Sequence, residues 1–306
     1  MRTRMTILIA AALAALAGLG LASTATACSQ CMCGTPFPAD ALGGVVPMEL
    51  RYGLEDRYLS KSNGLEEEPG TEAEREHRVG GFVLWRATNR LALLGRLPYN
   101  VKSIEETPEG GPTTTRTQHG LGDAEATALV GLVHTEGRHG AVLGMVLGAA
   151  APTGSNGKRD DTGERLDEHL QPGIGAWSGT AGLNYAIQLG GGTVDASVMG
   201  RLNGTNAHDY HYGNALLYNA GWASPFRHGA RLLVQLNGRT AERDRIEADT
   251  EGANTGGTVV YASPGLRWQT GFGIDVEGAV QIPMIESLYG IQDEHVTARI
   301  AFSLGR

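Results

Sequence analysis

The sequence lacks several features that helical membrane proteins and common hydrolases use. All three cysteines lie between residues 28 and 33. After residue 27 no long apolar stretch recurs, which excludes a membrane-spanning helix from the rest of the chain. Neither G-x-S-x-G nor H-E-x-x-H occurs, so we expect no enzyme. The net charge of −8 argues against nucleic acid as a partner.

The one long apolar run is at the N-terminus and has the order of a secretory signal peptide. Arg2 and Arg4 form a basic start, residues 7–22 carry no charge, and Ala25-Thr26-Ala27 is a small-x-small cleavage site. The run is short for a membrane span, which needs about 20 apolar residues. We therefore predict a signal peptide over residues 1–27, removed after Ala27, and export to the outer membrane of a Gram-negative bacterium.

Beyond the N-terminus, apolar and polar residues alternate in many segments. In residues 295–304, Val296, Ile300 and Phe302 share one face, while Thr297 and Arg299 share the other. A period of two indicates a β-strand. Twelve such strands are predicted, near residues 48–60, 77–88, 91–104, 117–134, 139–152, 172–188, 192–204, 211–223, 228–243, 256–269, 272–284 and 293–305.

The connections between these strands alternate in length. Short turns such as Gly190-Gly191 alternate with long polar segments near 61–76, 105–116, 153–171, 204–210, 244–255 and 285–292. Short periplasmic turns, long extracellular loops and an even strand number are typical of an outer-membrane barrel. The fold class predicted is an all-β, transmembrane, antiparallel up-and-down barrel of about twelve strands, occupying residues 48–306.

Alternation alone does not say which face of the sheet is inside. A soluble sandwich or lipocalin-like barrel turns its apolar face inward, whereas a membrane barrel turns it toward lipid. The predicted strands are long, and aromatic residues such as Tyr58, Tyr99 and Trp222 recur near their ends. Aromatic girdles mark membrane interfaces, and a face with charges of both signs suits a wet lumen, so we favour the membrane barrel.

Several short motifs resemble one known family. Leu97-Pro98-Tyr99, Gly120-Leu121-Gly122-Asp123, Ala151-Pro152-Thr153-Gly154 and Gly173-Ile174-Gly175-Ala176-Trp177 resemble the meta-pathway phenol-degradation family of outer-membrane proteins, over roughly residues 90–306. The resemblance implies an outer-membrane barrel and transport of hydrophobic compounds. The family has no catalytic residues to carry over. The cysteine segment departs from the simplest version of the family.

The cysteine segment, Cys28-x-x-Cys31-x-Cys33, lies in an N-terminal arm or plug over residues 28–47. Three sulfur ligands suit Cu(I), or zinc with a fourth ligand from elsewhere. In the oxidising periplasm two of the thiols could instead form a disulfide, which leaves one for lipid, metal or a periplasmic protein. Cys28 would be the first residue after cleavage, so lipidation of Cys28 is a further alternative.

Charged residues on the polar faces of the strands are candidates for lining the lumen. They carry both signs and could form a network that closes the barrel or selects solutes. The candidates are Arg51, Arg96, Asp123, Glu125, Asp195, Arg201, Arg231, Arg239, Arg267, Asp275, Glu277 and Arg299.

We expect a passive channel or transporter for small, hydrophobic solutes, with outer-membrane lipid and the solute as partners. The alternative is a barrel that transports nothing and whose cysteine arm binds a soft metal or a periplasmic partner.

Overall fold

The computed structural model describes residues 50–305 apart from 66–68, 136, 138, 247–249 and 253. Twelve antiparallel barrel strands account for most of these residues. They are β1 (Leu50–Gly64), β2 (Gly70–Thr88), β3 (Leu91–Pro108), β4 (Thr114–Leu121 and Ala124–Thr135), β5 (Ala141–Ala151), β6 (Ser178–Leu189), β7 (Gly192–Asn203), β8 (Ala215–Ala223), β9 (Ala230–Ala241), β10 (Gly257–Gln269), β11 (Ile274–Leu288) and β12 (Gln292–Glu294 and Thr297–Gly305). All twelve predicted strands are found, although two begin later than predicted, at Ser178 and Ala215.

The sheet closes on itself through its first and last strands. β1 pairs with β2 along its whole length, and its other edge pairs with β12, from Arg51 opposite Gly305 to Tyr58 opposite Ala298. Closure satisfies the backbone groups of both edges, as a sheet in lipid requires. No helix within the described residues has the length and apolar character needed to cross a membrane.

The two faces of the strands are those that the alternation predicts, and burial shows which one is inside. On β12, Ile300, Phe302 and Leu304 are exposed, whereas Thr297 and Ser303 are buried. The same holds around the barrel, where many large apolar residues are exposed and many charged ones are buried. An apolar outside around a polar inside is the arrangement of a membrane barrel and the reverse of a soluble one.

Two predicted loops are largely strand. β1 and β2 extend into the predicted loop 61–76, and β3 and β4 extend into 105–116. These extensions carry polar residues on both faces; Arg75 and Glu105, for example, form an exposed ion pair of 3.0 Å. Without an apolar face they show no alternation, which is why the sequence pattern missed them.

Pro264 and Pro283, which fall inside predicted strands, do lie in strands. Pro264 in β10 stands opposite Val234 of β9. Pro283 in β11 stands opposite Tyr261, next to a register shift between Val260 and Tyr261. Such irregularities are where a sheet tolerates a residue that has no backbone N–H.

Gly53 tests the closure between β1 and β12. A Cβ added at Gly53 would lie 2.0 Å from the carbonyl oxygen of Phe302, too close for the pairing to stay intact. We expect Gly53→Ala to lower the temperature at which the folded band is lost in heat-modifiable gel migration. Gly81→Ala on β2 is the matched control, because a Cβ there meets nothing within 4 Å. Equal behaviour of the two variants would contradict this account of the seam.

Candidate functional site

The interior of the barrel is the candidate site, and one part of it is a charged wall. Several ion pairs join strands that are not neighbours: Arg201 on β7 lies 3.5 Å from Glu125 on β4, and Arg96 on β3 lies 3.1 Å from Glu55 on β1. Side chains that skip intervening strands can meet only on the concave side of the sheet. Such buried pairs cost desolvation, so each partner depends on the other being present.

The other predicted interior charges also contact one another or nearby polar groups. Asp275 lies 2.6 Å from Arg267 and 3.7 Å from Arg51. Arg299 bridges Glu277 at 2.5 Å and Glu55 at 3.2 Å. The remaining contacts are those of Arg239 with Glu294, of Asp195 with the Asn219 amide at 2.8 Å, and of Arg231 with the Ser224 carbonyl at 3.1 Å.

Asp123 has a different role from the other predicted wall charges. It lies just before the second part of β4, and its carboxylate accepts backbone N–H bonds from Gly154 at 2.9 Å and Ile174 at 2.8 Å. Both donors belong to the third long loop, residues 152–177. The Asn100 amide on β3 adds a bond of 2.6 Å to the Pro172 carbonyl of the same loop. Asp123 and Asn100 thus anchor this loop to the inner wall.

The third long loop folds inward instead of projecting into solvent. Leu170, Gln171 and Ile174 are almost wholly buried, and a single 3₁₀ turn forms at Glu168–Leu170. We predicted a polar external loop over 153–171 and a strand from residue 172, and both are wrong at this place. Leu166, Leu170 and Ile174 are the apolar residues in an otherwise polar loop that could have indicated burial.

Two buried carboxylates tie the extracellular loops together. Glu168 accepts from Arg165 at 2.7 Å and from the Asn206 amide at 3.2 Å. Asp244 accepts from the Tyr210 hydroxyl at 2.7 Å and the Gly213 N–H at 2.8 Å. Glu168 belongs to the third long loop, Asn206, Tyr210 and Gly213 to the fourth (residues 204–214), and Asp244 to the fifth (residues 242–256). These hydrogen bonds therefore join the three loops to one another over the barrel. Sequence reasoning missed this arrangement, since the loops are mostly polar and have no period that shows which residues meet.

The fourth and fifth long loops also share a small sheet of three short strands, Tyr210–His211, Arg245–Ile246 and Thr250–Glu251. Burial lowers the pKa of His211, and the charge of Arg245 lowers it further. No group of three metal-ligating side chains forms among the residues that the structure describes. Cys28, Cys31 and Cys33 lie outside those residues, and their ligand role stays a prediction.

The inner face also carries an apolar surface that the sequence analysis did not identify. Ala92, Leu129, Val146, Gly182, Met199 and Leu217 stand directly opposite one another across β3 to β8. We call this the apolar inner row. Leu129, Val146 and Met199 are at most 2% exposed, and Leu94 packs in the same cluster. The interior therefore has an apolar strip along β3 to β8, and its charged side chains are most numerous on β1 and β2.

Comparisons with known proteins agree with this architecture. A family model described as "Putative MetA-pathway of phenol degradation" matches residues 67–283. The crystal structure of an outer membrane channel from Pseudomonas putida F1 is similar, with a TM-score of 0.67 and 13% identity over 88% of this chain and 99% of that chain. At this identity the likeness shows the fold.

Other similar structures are more distant. The toluene transporter TodX of P. putida has a TM-score of 0.43 and 8% identity over 89% of this chain and 92% of its own. The translocator domain of the autotransporter NalP from Neisseria meningitidis has a TM-score of 0.44 and 11% identity over 85% of this chain and 89% of its own. No curated protein sequence matches the chain.

The anchor at Asp123 gives a prediction about the inward loop. Asp123→Asn replaces one of the two accepting oxygens by an N–H₂ group that faces a backbone donor. We expect the loop to loosen and the single-channel conductance in planar bilayers to rise. Asp161→Asn in the exposed part of the same loop is the control and should leave conductance unchanged. An Asp123→Asn barrel with wild-type conductance would show that the loop does not limit passage.

Proposed function

The chain belongs to the family described as "Putative MetA-pathway of phenol degradation", whose model matches more than half of it, and on this premise we propose that it is an outer-membrane channel for small apolar molecules. The proposal includes a path along the inside of the barrel, lined by charged side chains and by the apolar inner row. It also takes the protein to be a non-enzymatic transporter that works by passive diffusion.

The observation that carries the proposal is the apolar inner row. A membrane barrel needs apolar residues on its outside, where they meet lipid, and its interior is ordinarily polar. Six adjacent strands here place Ala92, Leu129, Val146, Gly182, Met199 and Leu217 side by side on the inside. Burying a solute against such a surface contributes about 25 cal/mol for each Å² of apolar area.

Such a path opens only when the inward loop moves off the apolar inner row. Ile174 and Ala176 of that loop pack in the same cluster as the apolar inner row, and Tyr212 of the fourth long loop joins them. An apolar solute could replace these contacts without exposing the row to water. A hydrophilic solute could not, because the apolar side chains would lose their partners. The channel is therefore selective for apolar molecules, because a solute has to replace the apolar contacts between the loops and the row.

Leu129 tests the proposed path. In intact cells that carry this protein as their sole uptake route for a monoaromatic hydrocarbon, we expect Leu129→Gln to reduce the initial uptake rate several-fold. The reason is that an amide buried in the row binds an apolar solute poorly and holds water. Leu129→Met, which keeps the surface apolar at similar volume, is the control and should retain uptake.

Two results would contradict the proposal. One is uptake that does not differ between cells with and without the protein. The other is equal uptake by Leu129→Gln and wild type at equal amounts of folded protein in the outer membrane.

We also propose that the mature protein begins at Cys28 and is not lipidated. The basis is the Ala25-Thr26-Ala27 site, which suits the ordinary signal peptidase. Intact-mass spectrometry of the protein from outer membranes is expected to give the mass of residues 28–306 without acyl chains. A mass larger by a diacylglyceryl and an acyl group would overturn this and make Cys28 a lipid anchor.

A further inference from the structure

Three arginines stand side by side on the inner face of the barrel. Arg57 of β1 lies directly opposite Arg299 of β12 on one edge and opposite Arg78 of β2 on the other. We call these the arginine row. Directly opposed side chains have Cβ atoms only about 5 Å apart, and like charges at that separation repel. A sheet that keeps three guanidinium groups in one row therefore needs anionic groups in front of it.

The carboxylates near the arginine row are unevenly distributed. Arg299 has two, Glu277 at 2.5 Å and Glu55 at 3.2 Å. Arg78 has Glu76, which accepts from its Nη2 at 2.9 Å and its Nε at 3.2 Å. Arg57 has only Glu55, 3.6 Å from its Nη2, and its buried Nε has no hydrogen-bond partner among the described residues. The middle arginine therefore has the longest carboxylate contact of the three and a buried Nε–H group without a partner among the described residues.

Arg57 borders a cavity inside the barrel whose lining is rich in positive charge. Arg57, Arg96 and Arg201 line it together with a single carboxylate, Glu125, and the hydroxyls of Thr127 and Thr180. Glu125 is already engaged by Arg201 at 3.5 Å.

Met199 and Leu217 of the apolar inner row lie in the same lining. The cavity, of about 40 Å³, therefore combines guanidinium and hydroxyl donors with two nearly buried apolar side chains.

We propose that this cavity binds the carboxylate group of a small organic acid, with Arg57 as its principal donor. A guanidinium group presents two parallel N–H donors that match the two oxygens of a carboxylate. Met199 and Leu217 lie beside the acid's hydrocarbon part, which an inorganic anion would not use. This inference rests on the proposed function only because a solute must be able to reach the interior. It adds amphipathic anions to the apolar molecules that the channel transports.

Benzoate is a suitable probe, and benzamide is its neutral analogue of nearly equal shape. Titration calorimetry on the purified full chain in detergent measures binding without requiring transport. We expect benzoate to bind, and Arg57→Gln to weaken its affinity by about tenfold or more, as loss of a charge-assisted hydrogen bond does. Arg116→Gln is the control, because Arg116 is half exposed and paired with Glu106, away from the cavity; it should bind benzoate as wild type does.

Further measurements distinguish an organic-acid site from a general anion site and from a purely structural arginine. Equal affinity for benzoate, acetate and chloride would overturn the assignment to an organic acid, as would equal affinity for benzamide. A lower thermal unfolding midpoint of Arg57→Gln with unchanged benzoate affinity would make Arg57 a structural residue and overturn its role as donor. We expect the midpoint to stay or rise, since the variant removes charge from the arginine row.

Failure of the site and failure of the channel are distinguishable. No benzoate binding together with normal uptake of a monoaromatic hydrocarbon overturns the organic-acid site and leaves the proposed function standing. Benzoate binding without any uptake supports the site and removes the channel.

Discussion

The closed hydrogen-bonded ring of twelve strands is the constraint on which the rest of the structure depends. In lipid, a backbone N–H or C=O without a partner costs several kcal/mol, so a sheet can span the membrane only when it has no free edge. Here β1 supplies both final pairings, to β2 and to β12. Once the sheet is closed, the apolar side chains that alternate along each strand face lipid, and the polar ones face the interior. The polar residues of every strand are thereby collected in one enclosed space.

The charged side chains enclosed in the barrel form ion pairs with one another. Charges taken out of water need partners, and the interior supplies them across the barrel, as between Arg201 and Glu125 or between Arg239 and Glu294. Charged side chains are most numerous on β1 and β2, and the apolar inner row crosses β3 to β8 beside Arg96 and Arg201. The interior therefore presents charged and apolar side chains next to one another.

The loops complete the interior. Asp123 and Asn100 hold the third long loop against the wall, and Glu168 and Asp244 join it to the loops that follow. A carboxylate that accepts two backbone N–H groups is a strong anchor, because both bonds are charge-assisted. The Gly120-Leu121-Gly122-Asp123 motif, which carried the family resemblance, contains this anchor. The likeness to the family thus includes a residue that shapes the interior as well as residues that build strands.

The sequence by itself determined the strands, their number, their two faces and the alternation of short turns with long loops. These depend on local periodicity, as on β12, where Ile300 and Phe302 alternate with Arg299 and Ser303. Only the tertiary structure decided which side chains face one another. Arg57 lies beside Arg78 and Arg299, and Glu168 meets Asn206, because strand register and loop packing bring distant residues together. A period of two assigns a residue to a face but not to a neighbour, and polar loops carry no period at all.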